Sequence, residues 1–498
     1  MLFNSFDFLI FFPIVLLIYY AIPDKIKYIW LLVASYYFYM CWNAKYALLI
    51  LLSSVITYLS GIAMEKVDRN ISSEERRSKY KKIIVVISLV SNLGILFYFK
   101  YFNFATSLLS KILGYVHITV SIPRFDILLP VGISFYTFQA LGYTLDVYRG
   151  DIYAEKNFLR YALFVSFFPQ LVAGPIERSK NLLKQLATTQ KFNYRKAKEG
   201  FLLMLWGFFL KIVLADRIAI FVDRVYGDYE TYTGWYLVIA TILFGVQVYC
   251  DFAGYSIIAV GAAKFLHVEL MENFDAPYLS TSVAEFWRKW HISLTSWFKD
   301  YLYIPLGGSR RGKLRKYFNK MVVFLVSGLW HGASISYIVW GGLNGCYQVI
   351  GEMLMPLREK VRHMCKIQSE SKGYRLLQMV CTYILIDFTW IFFRANSFSQ
   401  GVAIVKHIAQ ASNPWILFDG GLYQCGLDQR NFQFMLVAIG ILLFADICKK
   451  KKICIIDSIL EEDTWFQWLF VLASIMVILI FGIYGPSYDA ANFIYFQF

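Results

Sequence analysis

The sequence predicts an all-α polytopic membrane protein, and three observations lead to this class. Among its 498 residues, 58% are hydrophobic and only 17% are charged, whereas soluble domains carry about 25% charged residues. Residues 83–99, 231–250 and 465–488 contain no charged side chain, over about the length that a bilayer requires. Aromatic residues make up 19% of the chain, which is typical of proteins with interfacial aromatic belts. Because helices satisfy their own backbone hydrogen bonds in lipid, we expect helices rather than strands.

The basic residues predict the topology. They cluster beside apolar segments, in residues 65–82, 176–198, 288–316, 357–375 and 449–452, as the positive-inside rule requires. The predicted spans are 8–22, 28–42, 46–63, 83–100, 200–222, a pair within 235–262 kinked at Asp251, 376–394, 432–447 and 465–484. The net charge of +15 therefore indicates a lipid bilayer as partner, and no nucleic acid.

Other segments are predicted to be irregular. Residues 129–148 and 157–175 contain helix-breaking prolines and glycines, so we expect short or re-entrant helices there. Residues 320–350 predict a hairpin or re-entrant pair, and 101–128 an external or interfacial segment. We expect one integral membrane domain, 1–498, that contains a cytoplasmic or re-entrant segment at 264–316 and an extracytoplasmic tail at 485–498. The location is then the cytoplasmic membrane, with multiple passes.

The first residues and the cysteines narrow the prediction further. The first residues lack the basic region of a cleavable signal, so we interpret them as a retained first helix. The eight cysteines include no C-x-x-C pair, which favours neither a zinc site nor a disulfide framework.

His331 is the first candidate for catalysis. It lies in residues 325–345, a stretch without Asp, Glu, Lys or Arg, and small residues surround it. Ionisable side chains in such segments are costly and therefore are functional candidates. Desolvation should keep the imidazole neutral, which suits a general base. The alternative is a histidine that only hydrogen-bonds a neighbouring helix.

His291 is the second candidate. It follows Trp287, Arg288 and Lys289 in a segment that mixes tryptophans with basic residues, the pattern of an interfacial amphipathic helix. The segment is either an ordinary surface helix or a re-entrant helix at a cytoplasmic entrance. In the second case Arg288 and Lys289 would attract the phosphates of an acyl donor.

Two blocks carry a resemblance to a known family. FWRKWHISLTSWFKDYLYIPLGGSR (286–310) is followed by GLWHGASISYIVWGGLNG (328–345), and residues 130–150, 167–178 and 249–278 add supporting matches. Together they resemble the membrane-bound O-acyltransferases, in particular the bacterial alginate O-acetylase-like branch, which includes peptidoglycan and cellulose acetylases. The likeness spans nearly the whole chain.

The resemblance implies a fold and an activity. The fold is a ring of roughly eleven transmembrane helices, plus re-entrant helices, around a central tunnel. The activity is transfer of an acyl group, acetyl in this branch, towards a cell-envelope polysaccharide, either directly or through an extracytoplasmic acyltransferase partner. The resemblance implies no bound cofactor or metal. The co-substrate would be an acyl thioester, either acetyl-coenzyme A or an acyl carrier.

The resemblance also assigns residues. It implies a catalytic role for His331 and a supporting one for His291. Substrate-binding candidates fall in the matched motifs and are Arg288, Lys289, Trp287, Trp330, Asn273 and Asp251. Asn273 and Asp251 are equally well interpreted as structural ties.

The C-terminal residues 493–498 resemble the F-x-Y-F ending of this bacterial branch. The ending is either an aromatic membrane anchor or a carrier in which Tyr495 holds the acyl group covalently. A phenol needs a base to become a nucleophile, and His331 would supply it.

Two other functions remain open from the residues. A transporter or flippase for a lipid-linked sugar would also have broken helices and buried polar residues, but the chain has no internal repeat. A non-enzymatic scaffold would not need a histidine in so apolar a segment. The sequence leaves open whether the acceptor is alginate, peptidoglycan, teichoic acid or another glycan.

Overall fold

A computed structural model describes residues 1–118, 129–188 and 191–484, and every regular element within these ranges is helical. The described chain forms two compact units. Unit 1 comprises Met1–Phe201 and Ile258–Met271, and unit 2 comprises Leu202–Ile257 together with the residues from Glu272 onwards. The predicted all-α class is confirmed. The prediction of one domain over 1–498 stays a prediction.

Unit 1 contains the first nine helices. They are α1 (Phe6–Ala21), α2 (Asp24–Met40), α3 (Ala47–Asn70), α4 (Glu74–Leu96), α5 (Phe102–Tyr115), α6 (Ile133–Arg149), α7 (Phe158–Ser166), α8 (Phe168–Leu171) and α9 (Ser179–Leu186). A π-helical turn, Phe97–Tyr101, joins α4 to α5. Helix α10 (Tyr194–Phe208) begins in unit 1 and ends in unit 2.

Unit 2 contains most of the remaining helices. They are α11 (Asp216–Gly227), α12 (Trp235–Phe265, whose last turns belong to unit 1), α13 (Val283–Lys289), α14 (Ile292–Phe298), α15 (Lys313–His331), α16 (Ile335–Met353), α17 (Met355–Met364), α18 (Lys372–Arg394), α19 (Phe398–Gln410), α20 (Gln429–Lys450), α21 (Ile455–Glu461) and α22 (Thr464–Phe481). Further π-helical turns occupy Phe209–Ala215 and Lys299–Tyr303.

Six helical stretches of the described residues are long and apolar enough to cross a membrane. They are Ala44–Asn70, Glu74–Tyr115, Trp235–Phe265, Lys372–Arg394, Gln429–Lys450 and Thr464–Phe481. Each contains or overlaps a span predicted from the sequence. The count of roughly eleven spans stays a prediction, because the other helices are shorter or less apolar.

One local prediction was wrong. The pair of helices expected within 235–262 is a single helix, since α12 runs without a break from Trp235 to Phe265; the charge of the Asp251 carboxylate in its middle is compensated by Lys211. The kink expected at Asp251 stays a prediction. The segment 101–128, expected to be external or interfacial, is helical as far as Tyr115, and its place relative to the membrane stays a prediction. Residues 102–115 contain no proline, which would break the helix. Residues 119–128 lie outside the described residues.

Helices α15 and α16 form the hairpin that the sequence allowed at 320–350, and glycines let them approach closely. A Cβ atom on Gly328 would collide with the carbonyl oxygen of Tyr337, and one on Gly341 with the carbonyl oxygen of Phe324. Both obstacles are backbone atoms, which cannot rotate away. Small residues therefore set the distance between these two helices.

We expect Gly341→Ala to destabilise the protein by about 1–3 kcal/mol, the usual cost of overpacking. Gly342→Ala is the matched control, because a Cβ there would meet only the Leu325 side chain at 3.6 Å, an ordinary contact. Alanine also has the higher helix propensity, so the control should be neutral or stabilising. Thermal unfolding in detergent measures both, and equal midpoints would contradict the close-approach argument.

Candidate active site

The two candidate histidines lie buried within unit 2. His331 is the last residue of α15, and His291 occupies the junction between α13 and α14. Their relative exposures are 4% and 1%. Neither imidazole is therefore solvated by bulk water, and the surrounding protein decides its hydrogen bonding and protonation.

His291 has a left-handed backbone, with φ 45° and ψ 55°. This conformation costs a non-glycine residue roughly 1–2 kcal/mol, so neighbouring contacts must hold it. Asn273 supplies two of them: its carbonyl oxygen accepts the Ile292 N–H at 2.9 Å, and its Oδ1 accepts the Ser293 N–H at 3.3 Å. The Asn273 amide also donates to Ser256 at 3.0 Å.

Asn273 thus caps α14 directly after His291, as the structural-tie interpretation of this residue requires. Its predicted contact with substrate stays a prediction. Strained residues that their surroundings hold in place cluster at functional sites, which is consistent with a role for His291.

Burial lowers the pKa of His291 to about 3, and the residue lies outside the six candidate spans. The Phe252 ring packs 4.7 Å from the imidazole, and the Ser293 hydroxyl lies 3.5 Å from Nδ1. The imidazole of His291 is therefore neutral, and a neutral imidazole can both donate and accept a hydrogen bond.

His331 lies among three aromatic rings that we call the aromatic box: Trp330, Trp340 and Phe393. Their centroids are 5.0, 5.1 and 5.4 Å from the imidazole, with steep interplanar angles of 84°, 85° and 74°. Trp330 also lies 5.9 Å from the His291 ring. Both histidines therefore contact one indole, and three sequence-predicted site residues come together.

Trp287 forms a second layer behind the box. Its ring lies 5.5 Å from Trp340, and its indole N–H donates to Oδ1 of Asn344 at 3.1 Å. The predicted substrate-binding Trp287 therefore touches the wall of the box rather than the His331 imidazole itself.

Asp251 belongs to a buried ion network. Nζ of Lys211 lies 2.6 Å from the Asp251 carboxylate and 2.8 Å from that of Asp216. The side chains of Lys211 and Asp251 are only 1% and 3% exposed. Phe252, the next residue along α12, is the ring that packs on His291. The structure therefore places Asp251 beside the site as an ion-pair partner of Lys211.

The predicted donor-binding residues lie on the outer side of α13. Arg288 is exposed, whereas Lys289 is half-buried and forms an ion pair with Glu285 at 3.1 Å. Lys450, at the end of α20, lies within electrostatic range of Lys289, Glu285 and Arg375. The basic group is thus larger than the sequence indicated.

Tyr495 lies outside the described residues, so its predicted role stays a prediction. The chain leading to it is anchored in unit 2. The Ile483 N–H donates to the carbonyl oxygen of Ile212 at 2.9 Å, and Arg217 donates to that of Phe481 at 2.5 Å.

The match with known proteins is extensive. A model of the MBOAT family, the membrane-bound O-acyltransferases, matches residues 18–386. The chain belongs to this family. The matched range contains both histidines and two rings of the aromatic box, Trp330 and Trp340, and it ends before Phe393 and the C-terminal tail.

Three relatives illustrate the range of the family. A probable alginate O-acetylase of Pseudomonas aeruginosa is 36% identical over 405 residues, which cover 80% of this chain and 72% of the relative. A peptidoglycan O-acetyltransferase of Helicobacter pylori is 30% identical over 433 residues, covering 82% and 77%. A teichoic acid D-alanyltransferase of Bacillus subtilis is 26% identical over 296 residues, covering 55% and 71%.

Membership in the membrane-bound O-acyltransferases makes this chain a multi-pass membrane enzyme that transfers acyl groups to oxygen. The transporter and scaffold alternatives are therefore set aside.

Sequence reasoning missed several residues of the site. Trp340 is a ring of the box, Asn344 bonds to its carbonyl oxygen and to Thr389, and Lys211 neutralises Asp251. Asn344 had a recognisable signal, a carboxamide in a charge-free stretch and four residues after Trp340, which places both on one face of α16. Lys211 had another, a lone lysine inside an apolar segment.

Proposed function

We propose that this enzyme transfers an acyl group, acetyl by analogy with its relatives, from a cytoplasmic thioester towards hydroxyl groups of an extracytoplasmic cell-envelope polysaccharide. His331 acts as the general base. The observation that carries the proposal is the His331 imidazole, buried in the aromatic box and sharing Trp330 with a second buried histidine. Three relatives named for alginate, peptidoglycan and teichoic acid support a polymeric acceptor.

The chemistry follows from the proton balance. His331 takes the proton of the attacking hydroxyl while its oxygen bonds to the thioester carbonyl carbon. The C–S bond then breaks, and the thiolate leaves with the proton that His331 returns. His291, whose low pKa keeps it neutral, supports the step by hydrogen bonding. The apolar walls exclude water that would otherwise hydrolyse the thioester.

Replacing His331 with Ala tests the base. We expect the acyl-transfer rate to fall on the order of 10²–10⁴-fold, the usual contribution of a general base. The exposed His363 on α17 provides the matched control, and His363→Ala should keep the wild-type rate. Acyl transfer from a radiolabelled thioester by purified protein, at matched thermal stability, measures both. Wild-type activity in His331→Ala would remove the assignment.

Donor entry is proposed beside α13. The exposed Arg288 and the Lys289–Glu285 pair there carry a net positive charge, and Lys450 adds another. An anionic donor such as a coenzyme A thioester is attracted to such a cluster, and salt screens the attraction.

We expect Arg288→Ala and Lys289→Ala to raise the donor KM with little change in kcat. Glu285→Gln should have the opposite effect, because it removes the neighbouring negative charge. The control is Arg430→Ala, an exposed arginine at the start of α20, the opposite end of that helix from Lys450. Donor titrations at two ionic strengths measure all four variants. A donor KM that is independent of salt and of these residues would exclude this entrance.

Tyr495 is proposed to carry the acyl group to the outer face. The donor and acceptor lie on opposite sides of a bilayer whose core is about 30 Å thick. Tyr495 lies eleven residues after Tyr484, a stretch of chain that reaches at most about 40 Å when extended. The residues just before this stretch, Phe481 and Ile483, are hydrogen-bonded to Arg217 and Ile212 of unit 2, the unit that contains His331. This tethering raises the effective concentration of the phenol. His331 would remove the phenol proton, and the resulting aryl ester would then pass its acyl group to a sugar hydroxyl.

Tyr495→Phe separates carrier from anchor, because it keeps the ring and removes only the oxygen. A carrier predicts loss of transfer to the polysaccharide. It also predicts an acyl adduct on the C-terminal peptide of the wild type when acceptor is withheld, detectable by mass spectrometry. A fully active Phe variant and an unmodified peptide would leave the ending with an anchoring role only.

A further inference from the structure

One buried carboxamide joins three helices behind the aromatic box. Asn344 on α16 has a relative exposure of 0%. Its Oδ1 accepts the indole N–H of Trp287 on α13 at 3.1 Å. Its amide nitrogen donates to the carbonyl oxygen of Trp340 at 2.9 Å and to the hydroxyl of Thr389 on α18 at 3.2 Å. Both amide protons and one oxygen lone pair of Asn344 are therefore used.

Thr389 continues this network. Its hydroxyl accepts from Asn344 and donates to the carbonyl oxygen of Ile386 at 2.7 Å. A hydroxyl that both donates and accepts has a fixed proton direction, so it fixes which side of the carboxamide faces α18. The orientation of Asn344 is thus determined from α18 and passed on to α13.

The residues held in this way form the support of the box. Trp287 packs 5.5 Å from Trp340, and Trp340 packs 5.1 Å from His331. Trp390, which follows Thr389, stacks on Trp340 at 5.8 Å with an interplanar angle of 25°. Trp340 therefore packs against two indoles, and each lies at or beside a residue hydrogen-bonded to Asn344.

Apolar packing alone leaves the position of these large rings loosely specified, because hydrophobic contact is not directional. The bond from the indole N–H of Trp287 to Asn344 is directional, so it sets the rotation of the Trp287 ring. The bond to the Trp340 carbonyl in turn keeps Asn344 in register with the ring beside His331. Hydrogen bonds therefore set the orientation of the rings, which apolar packing alone does not.

We propose that Asn344 is a positioning residue for His331: through Trp287, Thr389 and the Trp340 backbone it fixes the aromatic wall against which the imidazole lies. The inference rests on the proposed function, in which His331 is the base. It assigns to Asn344 no contact with substrate. A displacement of a catalytic group by about 1 Å costs on the order of 10²-fold in rate, so loosening the wall should reduce kcat.

The first test uses two substitutions of Thr389, one that removes its hydroxyl group and one that removes its methyl group. Thr389→Val keeps the shape and removes the hydroxyl, whereas Thr389→Ser keeps the hydroxyl and removes a methyl group. Positioning through the network predicts that kcat falls about ten-fold or more in the Val variant, with an unchanged donor KM. The Ser variant should stay near wild type. Equal losses in both variants, or a larger loss in Ser, would attribute the effect to packing and overturn the proposal.

The second test compares two buried asparagines. Asn92 in unit 1 has a relative exposure of 2%, accepts from the Ser53 hydroxyl at 2.6 Å and donates to the Ser88 carbonyl oxygen at 3.0 Å. Asn92→Leu and Asn344→Leu both remove a helix-joining amide and should both lower the midpoint of thermal unfolding. Only Asn344→Leu should lower kcat per folded molecule, on the order of 10²-fold. If both variants lower kcat equally, the role of Asn344 is merely structural.

A double variant separates positioning from additive damage. Trp287→Phe removes the indole N–H that Asn344 accepts. When both residues act through this bond, the combined Trp287→Phe and Asn344→Leu variant should lose no more activity than Asn344→Leu alone. Multiplicative losses would contradict the proposal, and should Asn344→Leu fail to fold, the Thr389 pair decides alone.

The His331→Ala variant distinguishes a failure of the proposed function from a failure of the role of Asn344. Full activity in that variant overturns the proposed function itself. An inactive His331→Ala variant, together with wild-type kcat in Asn344→Leu and Thr389→Val, overturns only the role of Asn344.

Discussion

The close approach of α15 and α16 is the constraint on which the site depends. His331 ends one helix and Trp340 lies in the other, so their ring contact exists only because Gly328 and Gly341 let the two backbones meet. Small residues let two helices approach closely, and packing and hydrogen bonds then hold them together. The hairpin thus brings the apolar wall to His331, and the hydrogen bonds of Asn344 orient that wall.

A second requirement is the treatment of polar groups in so apolar a chain. Unit 2 buries the Lys211 ammonium against two carboxylates, and it buries Asn344 with a partner for each amide proton. Unpaired, either group would cost several kcal/mol. Asp251, one partner of Lys211, precedes Phe252, which packs on His291, and Asn344 bonds to the carbonyl oxygen of Trp340 in the aromatic box. The interactions that compensate the buried polar groups are therefore connected to both histidines.

The two histidines, although both buried, differ in chemistry. His291 has a strained left-handed backbone, a cap from Asn273 and a pKa that burial lowers to about 3. His331 ends a regular helix and is surrounded by ring edges and faces. The supporting role of the first and the catalytic role of the second, which the family resemblance implied, stay proposals.

The sequence by itself determined the membrane class, the helical fold, the family and the two histidines. Apolar length, basic clusters and the two motif blocks are local properties, and local patterns can be read from the chain. Tertiary structure alone decided that α12 passes Asp251 unbroken, because the compensating Lys211 lies forty residues earlier in the chain. It also decided that Trp330 contacts both histidines, and that Asn344 joins α13, α16 and α18. Such contacts depend on the packing of distant helices, which a single sequence does not record.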